Sequence, residues 1–190
     1  MELDERFATG GEAELEELVR QYGEKLMRYS VSILYSHQDA EDVVQDVFFA
    51  AYQNRANFDG NNLSAWLYKI TYNQSLDKLK GIRRRKLLFF SDVKDEPSYM
   101  EDRFSMPEIM EALEKLKPQE RALLYGRVMN GHSYEELSQI MGSSPSALRK
   151  QYERVKKKAA KCLDAYGYNG RDDFRPKGTL LACEEGRRPG

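Results

Sequence analysis

Cysteine and histidine are scarce in this chain. Among 190 residues there are two of each: Cys162 and Cys183, His37 and His132. That shortage argues against a disulfide framework, a Cys/His zinc site and a histidine-based catalytic triad. Long apolar runs are missing as well, since no stretch approaches the roughly 18–20 residues needed to cross a bilayer. The opening MELDERFATGGEAELEE is acidic and lacks the basic flank and apolar core of a secretory signal. A soluble, cytoplasmic protein with no membrane insertion is expected. The alternation that marks a half-buried strand is nowhere sustained for long. What is present is 41% hydrophobic residues, enough for one ordinary domain or two small ones.

A net charge of −1, from 30 Lys+Arg against 31 Asp+Glu, conceals a strong segregation of sign. The first 24 residues and the stretch 39–48 are acidic. KLKGIRRRK at 78–86 is wholly basic, 92–114 is acidic again, and RKQYERVKKKAAK at 149–161 carries only Glu153 against its bases. Two cationic segments separated by an acidic one fit two contact points on a polyanion, although either run alone fits a solvated helix face equally well.

Helical spacing dominates from about residue 12 to 80, so the expected fold class is all-α. The segment from 89 to 105, polar and acidic with Pro97, has no sustained period and reads as a flexible linker. It divides an N-terminal helical domain, 1–88, from a second one, 106–166. The glycine-rich and charged remainder, 167–190, reads as a flexible tail in which Leu180 and Leu181 are a possible short docking segment.

The second unit carries the clearest punctuation. Ser133 and Glu136 form a capping box, and Gly142 is placed to end a two-turn helix in the left-handed conformation. Ser144 then caps the next helix, with Pro145 at its first position. A short helix, a glycine-containing turn and a long helix make a helix-turn-helix. At 100° per residue, Leu148, Tyr152, Val155, Ala159, Leu163 and Tyr166 share one side of the long helix. Ser146, Lys150, Glu153, Arg154 and Lys157 lie opposite, with Arg149 at the margin. Short polar and long basic side chains near a helix N-terminus suit base edges and phosphates, and Glu153 suits a cytosine amino group. A helical bundle with a lysine-rich solubilising face is the plainer alternative. Gly126, inside the preceding helix, is expected to cost about 1 kcal/mol relative to alanine.

In the first unit, Val43, Val44, Val47, Phe48 and Ala51 form a buried arc, which leaves Asp42, Gln45, Asp46, Phe49 and Gln53 outside. An aromatic ring rimmed by carboxylates suits a basic protein partner. Asp39, Asp42 and Asp46 could converge on a metal, but no histidine or further carboxylate motif completes the set. No cofactor is expected. In 61–86, Leu63, Trp66, Leu67 and Ile70 share an arc, and Tyr68, Tyr72, Leu76 and Leu79 wrap the other side. This helix is either sandwiched or offers aromatics beside its basic cluster to unstacked bases. Asn73 and Asp77 are alternatively internal hydrogen-bond partners.

Taken in order, DAEDVVQDVFFAAY, LSAWLYKITYNQSLDKLKGIRRR and LKPQERALLYGRVMNGHSYEELSQIMGSSPSALRKQYERVKKK resemble an extracytoplasmic-function sigma factor of bacterial RNA polymerase. The resemblance covers roughly residues 12–166. It implies a non-enzymatic subunit that directs core polymerase to promoters and assists their melting. Its implied partners are the β′ coiled coil and β subunit of polymerase, promoter DNA, and an anti-sigma factor. The Asp42, Gln45, Asp46, Phe49 and Gln53 face would meet the β′ coiled coil. Phe58, Asn62, Lys69, Tyr72, Asn73, Lys78, Arg83 and Arg84 would recognise the −10 element. Ser146, Arg149, Lys150, Glu153, Arg154 and Lys157 would read the −35 element. Ser143 and Pro145 depart from the family's turn, in which an apolar residue and an acid are usual. Two other readings remain open: a dimeric helix-turn-helix regulator, and a metal-dependent nuclease using Asp39, Asp42 and Asp46.

Overall fold

The computed structural model of the protein describes residues 3–89 and 114–164, and every regular element among them is helical. The linker expected at 89–105, apart from Phe89 at its edge, lies outside the described residues. So do the tail at 167–190 and Tyr166.

The first unit comprises α1 (Leu3–Phe7), α2 (Glu12–Leu34), α3 (His37–Gln53) and α4 (Leu63–Phe89), with a single 3₁₀ turn, Arg55–Asn57, before α4. Leu18, Tyr22, Leu26, Tyr29 and Ile33 recur every three or four residues along α2, and all are buried. Each such Leu or Ile side chain contributes about 1.5–3 kcal/mol on leaving water. The helix ends where Tyr35 turns left-handed at φ 57° and returns its N–H to the Val31 carbonyl. Ser36 immediately caps α3, accepting from the Asp39 amide at 3.2 Å. The short α1 was not anticipated. Leu3 and Phe7, one turn apart, are both buried, and the Phe7 ring meets Phe58 and Trp66 edge-on at 6.3 and 6.1 Å. Arg6 ties it to α2 through Glu14 and Glu17.

The second unit comprises α5 (Pro118–Val128), α6 (Tyr134–Met141) and α7 (Pro145–Asp164). Its punctuation is as expected. Glu136 N–H donates to Ser133 Oγ at 3.1 Å, and Ser133 N–H donates to the Glu136 carboxylate at 2.7 Å. Gly142 closes α6 at φ 71°, and the Ala147 amide donates to Ser144 Oγ at 3.3 Å. Leu148, Val155 and Ala159 are buried, with Tyr152 half-buried beside them.

The two units do not stand apart. Helix α5 lies on the end of α2, α6 lies on α4, and Ala122 and Ile140 belong to the same apolar cluster as Tyr29 and Leu67. Arg121, only 8% exposed, holds this junction. Its guanidinium donates to the Ser32 carbonyl at 3.0 Å, to the Ile33 carbonyl, and to the Leu116 carbonyl at 2.9 Å. The Ser32 and Ile33 carbonyls end α2 and have no intrahelical partner, so a cation from the second unit caps a helix of the first. Tyr35 covers the same guanidinium, with the ring centroid 4.3 Å from Cζ. Asn62 caps α4 through its Oδ1, 2.8 Å from the Ala65 amide, and its Nδ2 reaches Glu136 Oε1 across the junction at 3.3 Å.

Rings fill the rest of the junction. Tyr68 meets Tyr29 edge-on at 5.0 Å and the His132 imidazole at 4.5 Å. Gly126 sits where α5 passes closest. A Cβ there would stand 3.0 Å from Leu137 Cδ2, 3.6 Å from His132 Cδ2 and 3.9 Å from Tyr29 Cε2.

Two predictions follow from this packing. Helix propensity alone gives Gly126→Ala a gain of about 1 kcal/mol. Because Leu137 is fully buried and cannot retreat freely, we expect a net loss of about 1–3 kcal/mol in urea unfolding. Burial also lowers the affinity of His132 for a proton, opposed by the Glu136 carboxylate. Below its ordinary value of 6.5 the unfolded chain takes up a proton that the folded imidazole refuses. Stability therefore declines as pH falls through that region, until the folded imidazole titrates as well. Melting temperatures measured from about pH 5 to 7.5 should rise with pH, and less steeply in His132→Asn.

Candidate nucleic-acid interface

Three surfaces carry the side chains singled out from the sequence. On α7, Ser146, Arg149, Lys150, Glu153, Arg154 and Lys157 are all exposed. They form one face because Leu148, Val155 and Ala159 draw the opposite side into the core. The capped turn at Gly142–Ser144 delivers the N-terminus of α7 to the surface. At its first turns, Arg149 lies over the Tyr134 ring at 5.2 Å, and Arg127 approaches the same ring at 4.9 Å. Tyr134 is braced edge-on by Tyr152 at 6.3 Å. Ser143 is exposed, so the turn closes with a polar residue at that position.

The second surface runs along α4. Lys69, Asn73, Arg83 and Arg84 are exposed, and helical spacing adds Lys80 to their stripe, a residue that sequence reasoning passed over. Asn73 and Asp77 are not internal hydrogen-bond partners. Both are exposed, and Asp77 pairs with Lys80 at 2.8 Å. The other −10 candidates are engaged within the fold. Phe58 is buried against Phe7 and Trp66, and Tyr72 is only 7% exposed. Asn62 is held by its cap and by Glu136. Of the two options for α4, the sandwich holds for Tyr68 and Tyr72, because α6 covers the side of α4 that the first unit leaves open.

The third surface is the outer face of α3. Asp42, Gln45, Asp46, Phe49 and Gln53 are all exposed, Phe49 at 64%. Lys78 of α4 borders this face, with Nζ 2.9 Å from Asp42 Oδ2 and 3.3 Å from Asp39 Oδ1. The hydrogen bond to Asp42 is the main cause that raises the affinity of Lys78 for its proton. An ammonium thus sits between two of the three carboxylates that were weighed as metal ligands, and the arrangement is that of an ion pair.

Arg121 was missed in the sequence, although a signal existed. It falls on the same helical arc as Leu124, Tyr125 and Val128, where a charge among apolar residues implies a buried partner. Glu136 was read only as half of a capping box. Its second oxygen also serves the first unit, and the Ser133 amide is the main cause holding its carboxyl below the usual range.

The chain itself matches known proteins. Residues 18–85 match the family description Sigma-70 region 2, and residues 107–158 match Sigma-70, region 4. The extracytoplasmic-function (ECF) sigma factor SigE of Mycolicibacterium smegmatis is 27% identical over 77% of this chain, which spans 62% of that protein's length. The structure of CnrH, an RNA polymerase sigma factor of Cupriavidus metallidurans, in complex with the cytosolic domain of CnrY aligns with TM-score 0.67 at 26% identity. That alignment covers 86% of this chain and 96% of CnrH. The sigma factor RpoE of Bartonella quintana, solved with the anti-sigma factor NepR, shares the fold with TM-score 0.71 at 21% identity, over 78% of this chain and 96% of that one. No helix among the described residues is long and apolar enough to cross a membrane. Regions 2 and 4 thus lie in order on the helices that carry the cationic and acidic faces, and the chain belongs to the ECF group of the sigma-70 family, subunits that direct RNA polymerase to promoters.

Proposed function

We propose that α7 reads the −35 element as duplex, that the α4 stripe follows the −10 strand, and that the α3 face docks on the β′ coiled coil of polymerase. The observation that carries this reading is the exposed α7 face, where Ser146, Arg149, Lys150, Glu153, Arg154 and Lys157 stand together beyond a fully capped turn. Arg149 and Lys150 suit base edges or phosphates near the helix N-terminus, and Lys157 suits phosphates farther along. The protein performs no chemistry in this reading. It assists melting by differential binding, since opening a base costs a few kcal/mol and stacking on an aromatic ring returns about 1–3 kcal/mol. Polymerase supplies the remaining contacts.

The packing of the two units bears on how this occurs. The −10 candidate Asn62 is 3.3 Å from Glu136 on α6, directly beside the −35 helix. Elements named −35 and −10 lie roughly 25 base pairs apart, on the order of 80 Å of duplex. A body in which these groups touch cannot engage both elements, so the units separate when the promoter is bound. The acidic linker then crosses the basic channel of polymerase as a tether. We further infer an anti-sigma partner, on the likeness to RpoE, which was solved with one.

Charge reversal tests the −35 surface. Arg149→Glu with Lys150→Glu should reduce run-off transcription from a −35-dependent promoter at least about 30-fold, as two lost contacts worth about 1–3 kcal/mol each imply. Unchanged output would refute the assignment. For the α3 face, Phe49→Ala with Asp46→Ala should weaken association with core polymerase at least about 10-fold, and leave the melting temperature nearly unchanged because both side chains are exposed. Equal recovery of both proteins on immobilised core enzyme would count against that face.

A further inference from the structure

Where the two units meet, a cleft of about 300 Å³ opens between α2, the start of α4, the end of α5 and the turn that follows it. We propose that this cleft is a binding site for a small anionic molecule carrying a flat ring, and that its occupant holds the two units together. The second half of the proposal rests on the reading above, in which promoter engagement requires the units to part.

The most informative wall is His132. The residue is only 6% exposed, it lines the cleft, and its Nε2 is buried without a hydrogen-bond partner among the described residues. Buried polar atoms of folded proteins rarely stay unpaired, and those that do require an explanation. The Glu136 carboxylate stands 3.8 Å from Nδ1 and favours the proton on that nitrogen, which leaves Nε2 as a buried acceptor within the wall of the cleft. Asn130, in the same wall, holds a second buried and unpartnered atom, the donor Nδ2. An occupant that reaches both as the wall yields offers a hydroxyl or N–H to His132 and an acceptor oxygen to Asn130.

Charge and shape narrow the class further. The opposite wall is α2, where Lys25 stands 5.5 Å from the Tyr22 ring centroid and Arg28 adds a guanidinium. Glu24, exposed toward solvent, pairs with that guanidinium and partly offsets it. A neutral imidazole, an amide donor and two cations favour a phosphate or carboxylate head group. Tyr22, Tyr68 and Tyr125 line the remainder, and rings of this kind sandwich or edge a flat apolar group. The volume is that of about ten waters, too large for a single bridging water and at the low end of small-molecule sites.

The regulatory consequence follows from the origin of the walls. Lys25, Arg28 and Tyr68 come from the first unit, and Tyr125, Asn130 and His132 from the second, so the site exists only while the units are packed. A ligand that binds one state alone shifts the equilibrium toward it by 1 + [L]/Kd, about 100-fold at a concentration of 100 Kd. Occupancy would therefore oppose promoter engagement without touching the α7 face.

The test uses the full chain, with phenyl phosphate, benzoate and inorganic phosphate as probes in titration calorimetry. We expect at least one ring-bearing anion to bind in the range up to about 1 mM, more tightly than inorganic phosphate, and its identity separates phosphate from carboxylate recognition. Asn130→Asp, which places a like charge in the cleft with little change of shape, should weaken binding at least about 10-fold, and so should Lys25→Ala. Arg121→Ala lines no part of the cleft, yet it should weaken binding by loosening the junction while circular dichroism stays helical. The binding probe should also lower run-off transcription by wild type and not by Asn130→Asp. Absence of binding by all three probes at about 10 mM overturns the proposal, as does binding that Asn130→Asp and Lys25→Ala leave unchanged. If the isotherms behave as expected but transcription does not require Arg149 and Lys150, the site stands and the promoter reading fails.

Discussion

A guanidinium buried on the end of a helix sets the arrangement of this molecule. Arg121 cannot leave water cheaply unless its donors are met, and the Ser32, Ile33 and Leu116 carbonyls meet them. Two of these are the carbonyls at the C-terminal end of α2, where the helix dipole is negative. The geometry of the fork then fixes how α5 lies across α2, because a planar group with directed N–H bonds tolerates little rotation. Gly126 permits the approach, being one turn farther along α5 and without a Cβ to meet Leu137. Asn62 and Glu136 close the far side. Each contact presupposes the angle that Arg121 imposes.

That angle has functional weight. The proposed −35 face of α7 remains exposed, as does the Phe49 face of α3, so neither surface is used to hold the protein together. The side chains assigned to the −10 element divide instead. Lys69, Asn73, Arg83 and Arg84 look outward, whereas Phe58 and Tyr72 are in the core and Asn62 is committed to the junction. On the proposed assignments, the surfaces for polymerase and duplex DNA are thus available while part of the melting surface is withheld. The interface that withholds it is polar at its pin and cleft and apolar between. Such an interface can open without exposing a whole core, since most of the shared apolar cluster, Leu18, Leu26, Val47 and Leu63 among its members, comes from the first unit.

Much of this was legible in residue order. The Ser133 and Glu136 box, the left-handed Gly142 and the Ser144 cap are local devices, each determined within four or five residues, and each stands as expected. The outward set on α7 followed from periodicity alone, as did the exposure of Phe49 among acids and amides. What escaped was non-local. Tyr68 and Tyr72 looked equally suited to packing or stacking, because apolar residues wrap α4 on most sides and periodicity cannot name the neighbour. Lys78 belonged by composition to a basic run suited to DNA, yet Asp39 and Asp42 of α3 are its partners. The penalty assigned to Gly126 from helix propensity ignored the Leu137 and Tyr29 side chains that only folding brings near.

By itself, then, the sequence determined the longer helices, the caps around α6 and α7, which sides of α3 and α7 meet a core, and the segregation of charge along the chain. These depend on interactions within a turn or two of chain, where spacing is set by the pitch of the helix. Tertiary structure decided that the two units would pack as one body, that Arg121 would be buried to hold them, and that His132 and Asn130 would line one cleft with Lys25. Those outcomes depend on where residues far apart in the chain come to lie. Local spacing does not encode that position, because many partners satisfy the same apolar face while only one places a guanidinium on the open end of α2.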